Sequence, residues 1–139
     1  MRDPFAKSVG RVSRVHPYQW LWEPLLDDPS FVLRPMFGGR AAYLDGKLML
    51  YFSAKAEPWR GVFVCTERIH QTSLIADMPE LSPHSVLPKW LYLPESVENF
   101  ERLAAFLVSL THRRDPRFGV LPAGRKQASA RGRRSTLRP

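Results

Sequence analysis

The sequence predicts a single α+β domain, in which helices pack on an antiparallel sheet of about five strands. Three observations favour this class. An Asp-Gly pair separates two apolar runs, two further short runs are rich in β-branched or aromatic residues, and a long stretch near residue 100 repeats apolar residues with a helical period. A chain of 139 residues with 44% hydrophobic residues is long enough to bury one core.

The Asp45-Gly46 pair predicts a β-hairpin with arms at Arg40–Leu44 and Lys47–Phe52, because Asp-Gly suits a type I′ turn. Residues that face each other across the turn share one face of the sheet. The predicted core face comprises Ala41, Tyr43, Leu48, Leu50 and Phe52. The predicted solvent-exposed face, which we call the wet face, comprises Arg40, Ala42, Leu44, Lys47, Met49 and Tyr51. Gly38-Gly39 predict a bulge or tight turn where a side chain would clash.

The remaining elements follow from apolar periodicity and from turn residues. The predicted strands are Phe31–Arg34, Val62–Thr66 and Lys89–Leu93, and Leu81–Leu87 can form at most an edge strand because of Pro83 and Pro88. The predicted helices are Tyr18–Asp28, kinked or restarted at Pro24, then Glu67–Asp77 with Thr66 as N-cap, and Glu95–Thr111 with Ser96 as N-cap. The last helix should cover the core face of the hairpin, with Leu103 and Leu107 against Tyr43, Leu48 or Leu50.

Candidate catalytic residues are few. Cys65 lies in a β-branched run and is predicted to be structural, although a dyad with a histidine can be imagined. Asp27-Asp28 before Pro29 fit turn chemistry better than catalysis or metal binding. The four histidines lack the spacing of metal ligands, so we predict no metal and no cofactor. The chain also lacks nucleotide-binding and hydrolase motifs, which leaves an enzyme without named residues.

The net charge of +8 is concentrated at the ends of the chain. Residues 1–15 are predicted to be an extended lead-in to a domain that ends at residue 121. Residues 122–139 contain no acidic residue and are predicted to be a disordered basic tail. The cations of this tail are Arg125, Lys126, Arg131, Arg133, Arg134 and Arg138. Together with Arg40, Lys47 and Tyr51 on the predicted wet face, they form a possible nucleic-acid or partner contact.

The hairpin resembles a known family. Met36-Phe37-Gly38-Gly39, followed by Tyr43 and Asp45-Gly46-Lys47, is similar to the opening hairpin of the TfoX N-terminal domain, found in regulators of bacterial competence. The resemblance extends over about residues 18–110 and implies the same general order of elements. The chain departs from the family at Ser53–Arg60, which is longer and richer in turn residues. Full-length regulators also carry a second C-terminal domain, which we do not expect from residues 1–139.

The function expected from these observations is that of a non-catalytic interaction or regulatory module that binds a protein partner. The alternatives are weak, sequence-independent nucleic-acid binding and an enzyme without a recognisable motif. A single cysteine and the absence of a long apolar run predict a protein without internal disulfides or membrane spans. We therefore expect a cytoplasmic protein, and the resemblance implies a bacterial one.

Overall fold

The computed structural model of the protein describes residues 16–121, so the predicted lead-in and the predicted basic tail lie outside the described part. The described chain is α+β, with one fully antiparallel sheet. The strands are β1 (Val32–Met36), β2 (Gly39–Leu44), β3 (Lys47–Ala54), β4 (Arg60–Val64), β5 (Ser82–Pro83) and β6 (Leu91–Pro94). The helices are α1 (Gln19–Trp22), α2 (Gln71–Asp77) and α3 (Phe100–His112), with 3-10 turns at Glu23–Leu25 and Arg68–His70.

The sheet has six strands in the order β1-β2-β3-β4-β6-β5, where the sequence predicted about five. The additional strand is β5, a two-residue segment of the stretch that the sequence restricted to a sheet edge. The two edge strands, β1 and β5, each contain a proline, Pro35 and Pro83 respectively. This placement agrees with the rule that proline is tolerated in a sheet mainly at its edges.

Two consecutive hairpins share one turn geometry. Asp45 and Gly46 have φ angles of 55° and 79°, as the predicted type I′ turn requires. Phe37 and Gly38, with φ angles of 49° and 80°, form a second two-residue turn between β1 and β2. The Gly38-Gly39 pair therefore lies at a tight turn, as the sequence predicted.

The positive φ angle of Gly46 determines which replacements we expect the turn to tolerate. We expect Gly46→Asn to be tolerated and Gly46→Val to destabilise the protein by about 1–2 kcal/mol, because asparagine accepts positive φ far better than a β-branched residue. Urea unfolding of the two variants beside the wild type would measure this difference. Equal midpoints for the two variants would contradict the assigned turn.

A β-bulge shifts the register of the second hairpin and overturns the predicted faces of β2. The pairs nearest the turn, Leu44 with Lys47 and Tyr43 with Leu48, are those predicted. Beyond them Met49 is an extra residue, so that Ala42 pairs with Leu50 rather than with Met49. Because a shift of one residue exchanges the two faces of a strand, the predicted assignment was wrong for β2 and for Leu48 and Met49.

The C-terminal segment returns to the sheet next to this bulge. Beyond the end of β4, Val120 takes the place beside β3, exchanging two backbone hydrogen bonds of 2.8 and 3.0 Å with Leu48. The Cys65 N–H instead bonds the Met49 carbonyl at 3.1 Å. The partner of β3 thus changes at the bulge. Phe118 and Val120 pack back onto the domain, on opposite faces of the sheet.

The main core lies between α1, α2 and α3 and one face of the sheet. The sheet contributes Ala42, Leu44, Met49, Leu50, Phe52, Val62, Val64, Leu91 and Leu93 to this buried cluster. From α3, Leu103 and Leu107 belong to the same cluster as Leu50, which confirms that this helix covers the Leu50 face. Tyr43 and Leu48 belong to the opposite face, so that part of the expected contact set was wrong.

The helices begin later than the sequence predicted. Helix α3 begins at Phe100 rather than near Ser96, and Asn99 with a φ of 63° precedes it. Thr66 does not cap α2, because its hydroxyl donates to the Arg117 carbonyl. Pro24 lies in a 3-10 turn directly after α1, which corresponds to the restarted helix among the two predicted alternatives.

An arginine clamp joins the end of α3 to two turns. The Arg114 guanidinium donates to both carboxylate oxygens of Asp28, to the Asp45 carboxylate at 2.9 Å, and to the Ser30 hydroxyl at 3.2 Å. Asp28 also accepts hydrogen bonds from Ser30 N and Oγ, at 3.0 and 2.9 Å. Of the adjacent acids Asp27 and Asp28, Asp28 is therefore a turn residue, as predicted. The clamp also holds the β2–β3 turn against the end of α3.

The clamp predicts how stability depends on pH. Hydrogen bonds from Arg114 hold the pKa of Asp28 well below its ordinary value and lower the pKa of Asp45. Depressed carboxylate pKa values stabilise the fold above the unfolded pKa near 4, and this stabilisation disappears as the pH falls through the folded pKa. We therefore expect Arg114→Gln to unfold more easily than the wild type at pH 5–7, with a smaller difference at pH 2. A difference in urea midpoint that is constant from pH 7 to pH 2 would contradict this.

Candidate binding site on the aromatic face of the sheet

The sheet face opposite α3 carries a second buried cluster, which we call the aromatic face. Its buried members are Ala41, Leu48, Tyr51, Phe63, Cys65 and Tyr92. Partly buried side chains pack around them, namely Met36, Tyr43, Trp59, Trp90 and Val120. The covering segments here are loops, Lys55–Trp59 and residues 84–90, whereas α3 covers the other face.

Phe63 in β4 is the centre of the aromatic face. Its ring centroid lies 4.8 Å from that of Tyr92, 5.2 Å from Tyr51 and 5.6 Å from Trp59, which stacks on it. The His84 ring lies at 4.7 Å. Offset and edge-on pairs at these distances are favourable geometries for aromatic rings. The rings therefore form one packed layer, and the loops on this face are fixed to it.

Tyr51 is fixed at the β1–β2 turn by a close approach to glycine. Its hydroxyl donates to the carbonyls of Met36 and Phe37, at 2.8 and 3.1 Å. Gly39 lies beneath the ring, and a Cβ added there would lie 2.7 Å from the hydroxyl oxygen. The two glycines of the motif thus have different roles: Gly38 permits the turn and Gly39 leaves room for Tyr51.

The polar atoms of the covering loops are hydrogen-bonded to one another. His84 Nδ1 accepts hydrogen bonds from the N–H groups of Val86 and Leu87, both at 3.1 Å. Nε2 must then carry the proton, and it donates to the Pro58 carbonyl at 2.6 Å. His84 is 2% exposed, so this imidazole holds two loops together and offers neither nitrogen to a substrate.

Tyr92 and Cys65 also have structural environments that do not suit catalysis. The Tyr92 hydroxyl lies 2.8 Å from a Glu57 carboxylate oxygen and accepts the Arg60 N–H at 2.8 Å. Burial is the main cause that raises the pKa of Tyr92 above its ordinary value. Cys65 is fully buried, and burial also raises the pKa of its thiol well above normal. A raised thiol pKa disfavours the reactive thiolate form of Cys65. Because both ring nitrogens of His84 are already hydrogen-bonded, His84 cannot act as the base of the imagined Cys65–histidine dyad.

A cleft opens at the rim of the aromatic face. It has a volume of about 340 Å³ and is lined by Phe37, Lys55, Trp59 and Leu87. Phe37 is 68% exposed although it is a large apolar side chain at a tight turn. The Lys55 ammonium donates to the Phe37 carbonyl at 3.3 Å and is otherwise directed to solvent. The cleft thus combines apolar walls with one positive charge, which is a usual composition for a binding site.

The sequence-predicted contact residues do not form one surface. Tyr51 is fully buried, so its ring cannot stack on a base as the wet-face hypothesis required. Arg40 and Lys47 pair with Phe52 and Leu44, which place them on the opposite side of the sheet from Tyr51. They are also about 14 Å apart along the ladder, at 3.4 Å for each residue step. The six basic tail residues lie outside residues 16–121.

The charge of the described part gives no support to polyanion binding. Residues 16–121 contain 11 Lys and Arg against 12 Asp and Glu. Several of these cations are paired, among them Arg60 with Glu95, and Arg117 with Asp77 and Asp115. Within residues 16–121, no cluster of His, Cys, Asp or Glu could hold a metal ion, and no helix is long and apolar enough to cross a membrane.

The residues of the cleft were missed at the level of the sequence, since they come from three separate loops. The sequence nevertheless contains a pattern that indicates a covered second face of the sheet. The runs Leu48–Phe52 and Val62–Cys65 are apolar at every position, which is typical of strands covered on both faces rather than one.

Comparisons of the chain with protein-family models, with curated proteins and with solved structures found no match. What can be stated of its class therefore comes from the fold and the site. Residues 16–121 form an α+β fold with a six-stranded antiparallel sheet, one face of which is covered by helices and the other by loops that carry aromatic side chains. The resemblance of residues 36–47 to the TfoX N-terminal domain stays a prediction.

Proposed function

We propose that the protein is a non-catalytic interaction module that binds a protein partner through the cleft of the aromatic face. The observation that carries this proposal is the side chain of Phe37, which is 68% exposed at the mouth of an apolar cleft. Aromatic side chains are enriched at protein interfaces, and the apolar cleft beside Phe37 can receive a side chain of a partner. The hairpin's resemblance to a family of regulators supports an interaction role.

The size and charge of the cleft favour one kind of contact. A volume of about 340 Å³ is at the lower end for ligand pockets and suits a single apolar side chain of a partner. Lys55 at its wall would pair with a carboxylate beside that side chain. The buried rings behind the cleft hold Trp59 in place, so little ordering is needed on binding.

A photo-crosslinking amino acid at position 37 tests the proposal directly. Placed at Phe37 it should give one discrete crosslinked protein in cells, whereas the same amino acid at Ile69 should not. Ile69 is a matched control because it is also a strongly exposed apolar residue in a turn, at 82% exposure. Lys55→Glu should reduce the Phe37 crosslink without changing the thermal stability. Identical patterns at both positions, or no crosslink at Phe37, would contradict the proposal.

Weak nucleic-acid binding by the tail is a second candidate, favoured by six cations and no acid in residues 122–139. Binding of this kind releases counterions, so log affinity should fall with log salt by roughly 0.7–0.9 per phosphate contacted. Deleting residues 122–139 should remove most RNA or DNA binding and leave Tm nearly unchanged. Unchanged affinity and salt dependence after the deletion would assign binding to residues 1–121, and no binding by the full chain would exclude this function.

A further inference from the structure

We propose that Phe37 is a binding anchor that the protein retains at a cost in stability, and that it fits an apolar pocket with an acidic rim on a folded partner protein. This role rests on the proposed function, because Phe37 lines the cleft of the aromatic face. Phe37 belongs to the motif Met36-Phe37-Gly38-Gly39, and neither its turn nor its packing accounts for a phenylalanine at this place.

The two hairpin turns of the sheet allow a comparison within one molecule. Phe37 and Asp45 each occupy the first place of a two-residue turn, with φ angles of 49° and 55°, and a glycine follows each. Asparagine, aspartate and glycine are favoured at this place because they accept a positive φ, whereas a bulky side chain there is an outlier. The β1–β2 turn therefore carries an unfavourable residue where the β2–β3 turn carries a favourable one.

The packing of the Phe37 ring offsets little of this cost. The ring is 68% exposed, and its contact with Tyr51 is edge-on, with centroids 6.4 Å apart. Because stabilisation by burial is proportional to the apolar area removed from water, a ring that stays mostly exposed contributes little to the fold. Residues that break a local rule without a gain in stability are expected at functional sites.

Two side chains hold the backbone of this turn. The Tyr51 hydroxyl lies 2.8 Å from the Met36 carbonyl oxygen and 3.1 Å from that of Phe37. The Lys55 ammonium donates to the same Phe37 carbonyl at 3.3 Å. The backbone that carries the ring is therefore fixed before a partner arrives, which lowers the ordering cost of binding.

The shape and charge around Phe37 indicate the kind of partner. A ring that projects from a fixed turn is convex, so a concave pocket covers more of it than an extended peptide does, and interface anchors typically fill such pockets. Lys55 forms no ion pair with a carboxylate of residues 16–121, and its ammonium lies beside the anchor. A carboxylate at the rim of the partner's pocket would pair with it.

Thermal unfolding of two variants tests whether Phe37 costs stability. Phe37→Asn should raise Tm by about 2–5 °C, because Asn-Gly is a favoured pair in this turn. Phe37→Ala is the matched control: it removes the same ring, but alanine accepts a positive φ less readily than asparagine, so its Tm should not exceed that of the wild type. A Phe37→Asn protein that unfolds at or below the wild-type Tm would overturn the cost assigned to Phe37.

Photo-crosslinking from Val86 tests the anchor while position 37 is varied. Val86 is 58% exposed and directly precedes Leu87 of the cleft. A photo-crosslinking amino acid there should give one discrete product in cells, and about tenfold less of it in both Phe37→Asn and Phe37→Ala. Loss of the product in Phe37→Asn, a variant with a higher Tm, cannot be attributed to unfolding. Undiminished product in Phe37→Asn would overturn the anchor role, while a crosslink from position 37 itself would still support the proposed function.

The crosslinked product also tests the class of the partner. Lys55→Arg, which keeps the charge, should retain the product from Val86, whereas Lys55→Glu should lose it. Equal product from these two variants would overturn the acidic rim. A product of twice the chain mass would identify a second copy, and one only slightly heavier than the chain would identify a short peptide; either would overturn a separate folded partner. No product from position 37 or position 86 would overturn the proposed function and the anchor together.

Discussion

Replacing Gly39 by alanine is expected to lower the free energy of unfolding by about 3 kcal/mol, a large effect for a single methyl group. The added Cβ would lie 2.3 Å from the Phe52 carbonyl oxygen and 2.7 Å from the Tyr51 hydroxyl oxygen. Neither atom can yield easily, because Phe52 is in the middle of β3 and Tyr51 is fully buried. Urea unfolding followed by circular dichroism measures the loss.

Two companion variants identify the cause of that loss. Gly39→Ala combined with Tyr51→Phe should not recover stability, since the contact with the Phe52 carbonyl remains. Gly38→Ala should cost only about 1–2 kcal/mol, because its Cβ meets the flexible end of Lys55 and the main penalty is a φ of 80°. A Gly39→Ala protein that unfolds at the wild-type urea concentration would show that β1 and β2 pack differently.

Phe63→Ala is expected to cost about 3–5 kcal/mol, the range for removing a buried aromatic side chain. Phe63 is fully buried and touches rings from both covering loops, so its loss removes support from Trp59 and His84 as well. The tryptophan emission of the folded variant should shift towards longer wavelength as Trp59 becomes wetter. The control is Phe106→Ala in α3, at 45% exposure, which should change stability by about 0.5 kcal/mol or less. Equal costs for the two variants would mean that the aromatic face is not a packed layer.

The sequence was informative where local chemistry decides structure. Asp45-Gly46 specified its turn because few residue pairs accept two consecutive positive φ angles. The strand predicted at Lys89–Leu93 is also present, as β6 at Leu91–Pro94, with Tyr92 on one face and Leu91 and Leu93 on the other. In both cases the residues next to one another in the sequence are sufficient to predict the local structure.

Features that depend on distant segments were not predictable. The bulge at Met49 lies next to the point where Val120, more than seventy residues later in the chain, pairs with Leu48 of β3. The late beginning of α3 depends on the unusual backbone of Asn99. The candidate cleft also depends on residues that are far apart in the sequence, since Phe37, Trp59 and Leu87 come together only in the folded sheet. A near-continuous apolar pattern can show that both faces are covered, but it cannot show by which loops.

The two prolines in the edge strands have a consequence for assembly. In β1, Met36 and Gly39 flank a two-residue turn and form a hydrogen-bonded pair, so the next pair, Pro35 with Arg40, turns its backbone outward. Proline has no N–H to offer there, which leaves Leu33 as the outward donor of β1. The opposite edge is two residues long and also contains a proline, Pro83. Both edges of the described sheet therefore offer few backbone donors, which disfavours extension of the sheet by a second copy.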